Sequence, residues 1–429
     1  MLEQPHFGRR LKRLRLERGL SQAGLVGDGM STGYLSRLES GERRPTERAT
    51  AYLAERLGVD ASALIGPSPQ RSLTCELAAV SSAPSGTYDI AALGRAVDED
   101  AGDDPATRWQ ALWLLSRAAD RLGDYSQERG RLLQLLDLSE LLEVPELRVR
   151  SYVQYARCLR ALGDMRTAEP AAAQAYSLAR AEEVSVADTT AALMVLIGIE
   201  VELGRLDEAA RHVDELERDW LPMAAPAQAA EGWWTVAMVR NRQGDHASAR
   251  TGLETALGLL EGRDDLTLWI RLRAAAAAAA LEMSPPRLAA AERWLREAVS
   301  VVDLIGTPVQ VQELRALQAH LAFHQGRTDE ARAISGALLA EEDLRLPYRD
   351  RVRLSVLDGR LKILSGRADE GIDLLQRLGR QAAESQNLDL AAHVWQSLAQ
   401  TLADLRLPHT ADSADTTPQP SDQGDRARP

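Results

Sequence analysis

The residues best suited to a chemistry lie in one stretch, Met30–Pro45, MSTGYLSRLESGERRP. Ser31 reads as a helix N-cap, Leu35 and Leu38 as an apolar face, and Gly41 as a stop. The outward positions of that helix are Thr32, Gly33, Tyr34, Ser36 and Arg37, and Arg43, Arg44 and Pro45 follow the stop. Small and hydrogen-bonding side chains at a helix start, then arginines in the next loop, suit a helix laid in the DNA major groove. Thr32, Gly33, Tyr34 and Arg37 would face base edges, while Ser31, Arg43 and Arg44 would hold phosphates. Each has a plainer alternative. Ser31 and Thr32 serve equally as caps, the arginines as solvated charges, and Tyr34 as a ring packed on the sugar-phosphate backbone.

Catalytic patterns are missing from the sequence. There is no G-x-x-x-x-G-K-[ST] loop, no H-E-x-x-H, and no nucleophile–base constellation. His320 and His324 are spaced for a shared metal, but no third ligand is evident. Cys75 and Cys158 fit neither a disulfide nor a metal pattern. The expectation is a non-enzyme without cofactor.

Composition narrows what could carry the organising helix. The 429 residues suggest more than one domain, and aromatics at 4% leave a core of Leu, Ala and Val, which favours helices over sheets. The longest apolar run, Ala274–Leu281, is far short of a membrane span, and no signal peptide opens the chain, so a cytoplasmic protein is expected. Lys12 and Lys362 are the only lysines among abundant arginines, a bias that GC-rich bacterial codons produce. The net charge of −12 argues against DNA binding, yet residues 1–66 hold 11 basic and 8 acidic residues, leaving the acidic excess to the rest. A basic head on an acidic body confines nucleic-acid contact to the head.

Within the head, Phe7–Arg18 has helical apolar spacing at Phe7, Leu11, Leu14 and Leu16, Ser21 caps a short helix at Gln22–Val26, and Gly27-Asp28-Gly29 turns into the organising helix. Pro45-Thr46 opens a fourth helix closed by Gly58, and Asp60 caps a last turn ending at Leu64 and Ile65. Read together, RLRLERGLSQ at 13–22, YLSRLESGERRP at 34–45 and LGV at 57–59 make residues 1–66 resemble the phage-repressor-like (Xre-type) helix-turn-helix family. That resemblance implies a phosphate contact for Gln22, base reading by Thr32, Gly33, Tyr34 and Arg37, and a structural pair between Arg15 and Glu39. The segment between Gln22 and Tyr34 is one residue shorter than the common pattern, which unsettles the phasing of residues 28–33.

Residues 67–105 read as a linker with a leading helix, its stretch 66–88 a hinge with a short apolar piece of about one helical turn between Pro-, Ser- and Gly-rich ends. From 106 to 407 the chain repeats. Turn glycines recur at Gly123, Gly163, Gly204, Gly244, Gly326 and Gly366, at intervals of 40, 41, 40, 82 and 40 residues, and Met283–Pro286 supplies the hidden turn. Small residues stand five after and seven before most of these glycines, as in Ala168 and Ala156. This grammar resembles tetratricopeptide repeats, which implies a right-handed solenoid of about seven helix pairs with a concave inner face. Residues 408–429 read as a disordered tail.

The fold expectation is therefore all-α. Arg157, Arg160, Arg240, Asn241 and Gln318, on first helices of their pairs, are the candidate ligand contacts in the groove. Trp233 and Trp234 form either a platform there or packing between repeats. Such a head buries little surface, so tight operator binding needs two, and a homodimer through the body is expected. Resemblance to bacterial regulators that fuse this head to such repeats implies an oligopeptide or protein signal. The alternative is a protein-interaction scaffold tethered to DNA.

Overall fold

The computed structural model describes residues 6–27, 29–61, 64, 72–83, 90–99, 104–260, 265–283 and 285–406, and among them are 21 helices and no strand. The chain divides into two compact units, Met1–Asp103 and Asp104–Pro429. The proposed tail, Ile65, Asp28 and Ser284 lie outside the described residues.

Four helices open the first unit: α1 (His6–Glu17), α2 (Gln22–Leu25), α3 (Thr32–Glu39) and α4 (Glu47–Leu57). Each of the last three starts on a hydroxyl cap: Ser21 accepts from the Gly24 N–H, Ser31 from Tyr34 and Thr46 from Ala49. Phe7, Leu11, Leu25, Leu35, Leu38, Leu53, Leu57 and Leu64 meet in one core. Leu16 stands outside it, 57% exposed, against the sequence expectation, because the stripe through Phe7, Leu11 and Leu14 points another way. At Gly8 a Cβ would lie 2.2 Å from the Leu38 carbonyl, so only glycine lets α1 approach α3 this closely.

Two further helices follow, α5 (Leu73–Ser82) inside the stretch read as a hinge and α6 (Ile90–Glu99) beyond it. Leu73, Leu77 and Val80 of α5 and Leu93 and Val97 of α6 are buried. The flanking Pro, Ser and Gly obscured a segment that is itself amphipathic and capped by Ser72.

In the second unit seven antiparallel pairs are followed by one closing helix. They are α7 (Pro105–Leu122) with α8 (Tyr125–Leu142), α9 (Pro145–Leu162) with α10 (Met165–Ala181), and α11 (Val186–Glu202) with α12 (Leu206–Glu215). Next come α13 (Pro226–Arg242) with α14 (His246–Leu259), α15 (Leu266–Glu282) with α16 (Leu288–Ile305), α17 (Pro308–His324) with α18 (Thr328–Leu339), and α19 (Tyr348–Leu364) with α20 (Ala368–Glu384). Helix α21 (Leu388–Arg406) closes the series. A single turn of five π-helical residues, Leu216–Trp220, prolongs α12.

The repeated Gly-Asp dipeptide explains the pairing. Gly123, Gly163 and Gly244 take the left-handed conformation that ends one helix, and Asp124, Asp164 and Asp245 then cap the next through N–H groups of Gln127, Thr167 and Ser248. Where arginine replaces aspartate, at Arg205, Arg327 and Arg367, no side-chain cap forms. Small residues at the matched positions, Ala156, Ala168, Ala319 and Ala331, are fully buried and let paired helices cross closely. Glu128 occupies the same position in the first pair and is also fully buried. Desolvation there raises its pKa to about 7, against the hydrogen bond it accepts from Gln154.

The series also meets itself. Arg345 donates to the Leu122 carbonyl, Asn387 Nδ2 donates to the Gly163 carbonyl at 3.1 Å, and Tyr348 packs against Gly163. Repeats at the start of the unit thus touch those at its end.

Candidate nucleic-acid interface and repeat channel

On the head, Thr32, Gly33, Ser36 and Arg37 form an exposed face of α3 while Leu35, Leu38 and Glu39 are buried behind them. A Cβ at Gly33 would meet nothing within 4 Å. Tyr34 is half-buried against the core, and the Arg43 guanidinium lies 4.7 Å from its ring centroid. Arg43 and Arg44 are both exposed. The Ser31 hydroxyl accepts from the Tyr34 N–H at 3.2 Å, so its oxygen caps α3 and its proton stays available as a donor.

One buried ion pair holds this face in place. Arg15 donates to Glu39 through Nε at 2.6 Å and Nη2 at 3.0 Å, and its Nη1 donates to the Leu20 carbonyl at 2.7 Å. Gln22 Nε2 also donates to Glu39, at 2.8 Å, so this side chain is tied to the pair. Burial alone would raise the Glu39 pKa, but hydrogen bonds from Arg15 and Gln22 outweigh it and hold the carboxyl below its usual range. On the far side, Tyr52 Oη accepts from the Gly27 N–H and Arg56 Nε donates to the Leu25 carbonyl, fixing the end of α2 to α4.

The second unit holds a half-open channel of about 1910 Å³, lined mainly by the first helices of the pairs. Arg157, Arg160 and Asn241 line it. Arg240 and Gln318 do not; Arg240 pairs instead with Asp214 and Glu217. Trp233 packs in the cluster around Leu193 and Val236, whereas Trp234 lines the channel with the Arg271 guanidinium 5.8 Å from its ring centroid. His320 and His324 both line it, and burial drives His320 down to about 3. No group of three metal-binding side chains occurs among the described residues.

A phase that sequence reading missed sorts these residues. The residue six before each turn glycine (Arg117, Arg157, Gly198, Met238, His320 and Arg360) faces the channel. Arg160 and Asn241 lie one helical turn further along the same stripe, three before their glycines, while Arg240 and Gln318 are rotated off it. Glu313, Arg349, Asp350 and Arg353 also line the channel and were not singled out from sequence.

An ion network spans the channel wall. Glu202 pairs with Arg160 at 2.7 Å and reaches Arg349 at 3.9 Å; Arg349 pairs with Asp389 at 2.6 Å. Arg242 bridges Asp389 and Glu282 at 3.2 and 3.4 Å, and Glu282 also meets Arg353. Burial would raise the Glu282 pKa, yet these arginines bring it to about 2. The network links α9, α11, α13, α15, α19 and α21.

Fold and site together define a class: an all-α protein that joins a helix-turn-helix head to tetratricopeptide-like repeats. Comparison with known proteins places the head in the helix-turn-helix domain family, which matches residues 6–64. A Rap protein, solved in complex with competence and sporulation factor, is similar in fold, with a TM-score of 0.50 and 10% identity over 93% of this chain and 98% of that one. PlcR of Bacillus thuringiensis, solved with the peptide PapR7 and DNA, gives a TM-score of 0.38 and 14% identity over 74% of this chain and 98% of that one. No curated protein matches the chain in sequence. Among the described residues no helix is long and apolar enough to cross a membrane.

Proposed function

We propose that the protein is a sequence-specific, DNA-binding transcriptional regulator of the bacterial cytoplasm, whose repeat unit dimerises and senses an oligopeptide or protein. The observation that carries this reading is the exposed face of α3, Thr32, Gly33 and Arg37, followed by the exposed Arg43 and Arg44 in a helix-turn-helix domain. In this reading α3 enters the major groove, Tyr34 borders its base-reading face, and Gln22 and Ser31 join the two arginines at phosphates. The channel supports a ligand-sensing role, since its volume exceeds the roughly 300–1,000 Å³ of a small-molecule pocket. The complex of the similar Rap protein with competence and sporulation factor agrees with a signal held by this kind of repeat fold.

Selection of bound fragments from a random DNA pool by the full-length protein tests the reading. A symmetric pair of half-sites about one or two helical turns apart supports both DNA reading and dimerisation; recovery of no enriched sequence refutes it. Arg37→Ala is expected to relax sequence preference, at a cost of about 1–3 kcal/mol for the preferred site, with thermal stability unchanged. Arg44→Ala is expected to weaken binding to all sequences and to flatten the slope of log K against log salt by about 1. An unchanged slope removes Arg44 from the phosphate contacts.

A further inference from the structure

The channel is lined by thirteen arginines and nine carboxylates, in a chain whose net charge is −12. Most of these charges are matched. Arg160, Arg242, Arg349 and Arg353 belong to the ion network, Arg271 pairs with Glu231, and Arg117 pairs with Asp120. Arg157 differs. It is half-buried in the wall, and no hydrogen bond or carboxylate within 4 Å engages its guanidinium among the described residues. Desolvation lowers its pKa, so the charge is held there at a cost that an anion would offset.

Glu313 and Asp350 are the opposite case. Both line the channel on α17 and α19, and neither has an ion pair or hydrogen bond among the described residues. Burial and the neighbouring Asp350 carboxylate push Glu313 up against the attraction of Arg271, and burial pushes Asp350 up against that of Arg353, Arg349 and Arg160, so the wall's own arginines already answer these two carboxylates. Asp120 acts on both Arg157 and Glu313, so these groups share one region of the channel.

On the reading that the channel takes a peptide, we propose that its ligand is an oligopeptide that presents a carboxylate to Arg157. A guanidinium donates two parallel hydrogen bonds to a carboxylate, which gives orientation as well as affinity. The C-terminus of an unmodified peptide supplies that carboxylate, and side chains of Asp or Glu supply the same chemistry. Trp234 and the alanine-rich stripe of α15 offer apolar surface in the same channel.

The test uses the full chain and a random heptapeptide library with free termini, the same library amidated at its C-termini, and a third that is both amidated and free of Asp and Glu. Retention is measured by size separation and mass spectrometry. The free library is expected to be retained roughly 10- to 100-fold better than a library that is both amidated and free of Asp and Glu, the worth of one charge-assisted pair. Arg157→Gln should abolish that difference, while Arg332→Gln on α18 should keep it. Loss on amidation alone assigns the carboxylate to the terminus; enrichment of Asp and Glu among amidated peptides assigns it to a side chain. Equal retention of all libraries by the wild type overturns the charge recognition and leaves peptide sensing standing. Retention of none overturns both.

Discussion

Arg15→Ala is expected to destabilise the head by about 3–5 kcal/mol, more than any change on its DNA-facing surface. The substitution removes three donated hydrogen bonds and leaves the Glu39 carboxylate buried with Gln22 as its remaining partner. Hydrogen exchange in the full chain reads this directly: protection of α1–α4 amides should fall by about 10²- to 10⁴-fold with α7–α21 unaffected. Replacing both partners by apolar residues, Arg15→Met with Glu39→Leu, should restore most of the loss, because no charge is then stranded. If the single substitution is neutral, the pair does not hold α3 to α1. The pH dependence has a defined sign. The folded pKa of Glu39 lies below its unfolded value, so the pair contributes fully above about pH 4.3, the unfolded glutamate value, and its contribution fades as pH falls through the folded one. Glu39→Gln should remove that acid-sensitive component.

Gly163→Ala is expected to cost the repeat unit about 2–5 kcal/mol. Gly163 sits at φ +84°, where a Cβ costs about 1–2 kcal/mol, and that Cβ would lie 2.5 Å from the Tyr348 ring, adding overpacking of about 1–3 kcal/mol. Gly326 provides the comparison: its φ is +77°, but a Cβ there meets nothing within 4 Å, so Gly326→Ala should show the backbone cost alone. Thermal unfolding of the two variants separates the terms. Tyr348→Ala in the Gly163→Ala background should recover part of the difference, and equal effects at the two glycines would mean that the packing on Tyr348 is not maintained in solution.

Much of this arrangement can be read from local sequence. Capping hydroxyls at Ser21, Ser31 and Thr46, and glycines before aspartates at 40-residue intervals, are short-range signals with a direct mechanism, so they mark helices and pairs reliably. Arg37 and Arg44 are exposed because their neighbours Leu35, Leu38 and Pro45 are required inside. The groove was less legible. Residue type suggested Arg240 and Gln318 as readily as Arg157, and only helical phase, fixed by packing against the partner helix, decides which of them faces inward. Glu313 and Asp350 look like ordinary solvated helix carboxylates in the sequence. Their surroundings arise from residues more than a hundred positions away, notably Tyr125 and Asp120, and local pattern carries no trace of that.

The hydrogen bond from Asn387 to Gly163 joins residues 224 apart in sequence. Repeat arrays ordinarily gain stability from neighbour to neighbour, so they fold from any point and lose terminal units gradually. Here the first pairs complete their contacts only after α21 has been made, which raises contact order and ties early repeats to the last ones. Loss of the final helix would therefore be felt at the second repeat, and the unit should unfold as one cooperative block rather than fray.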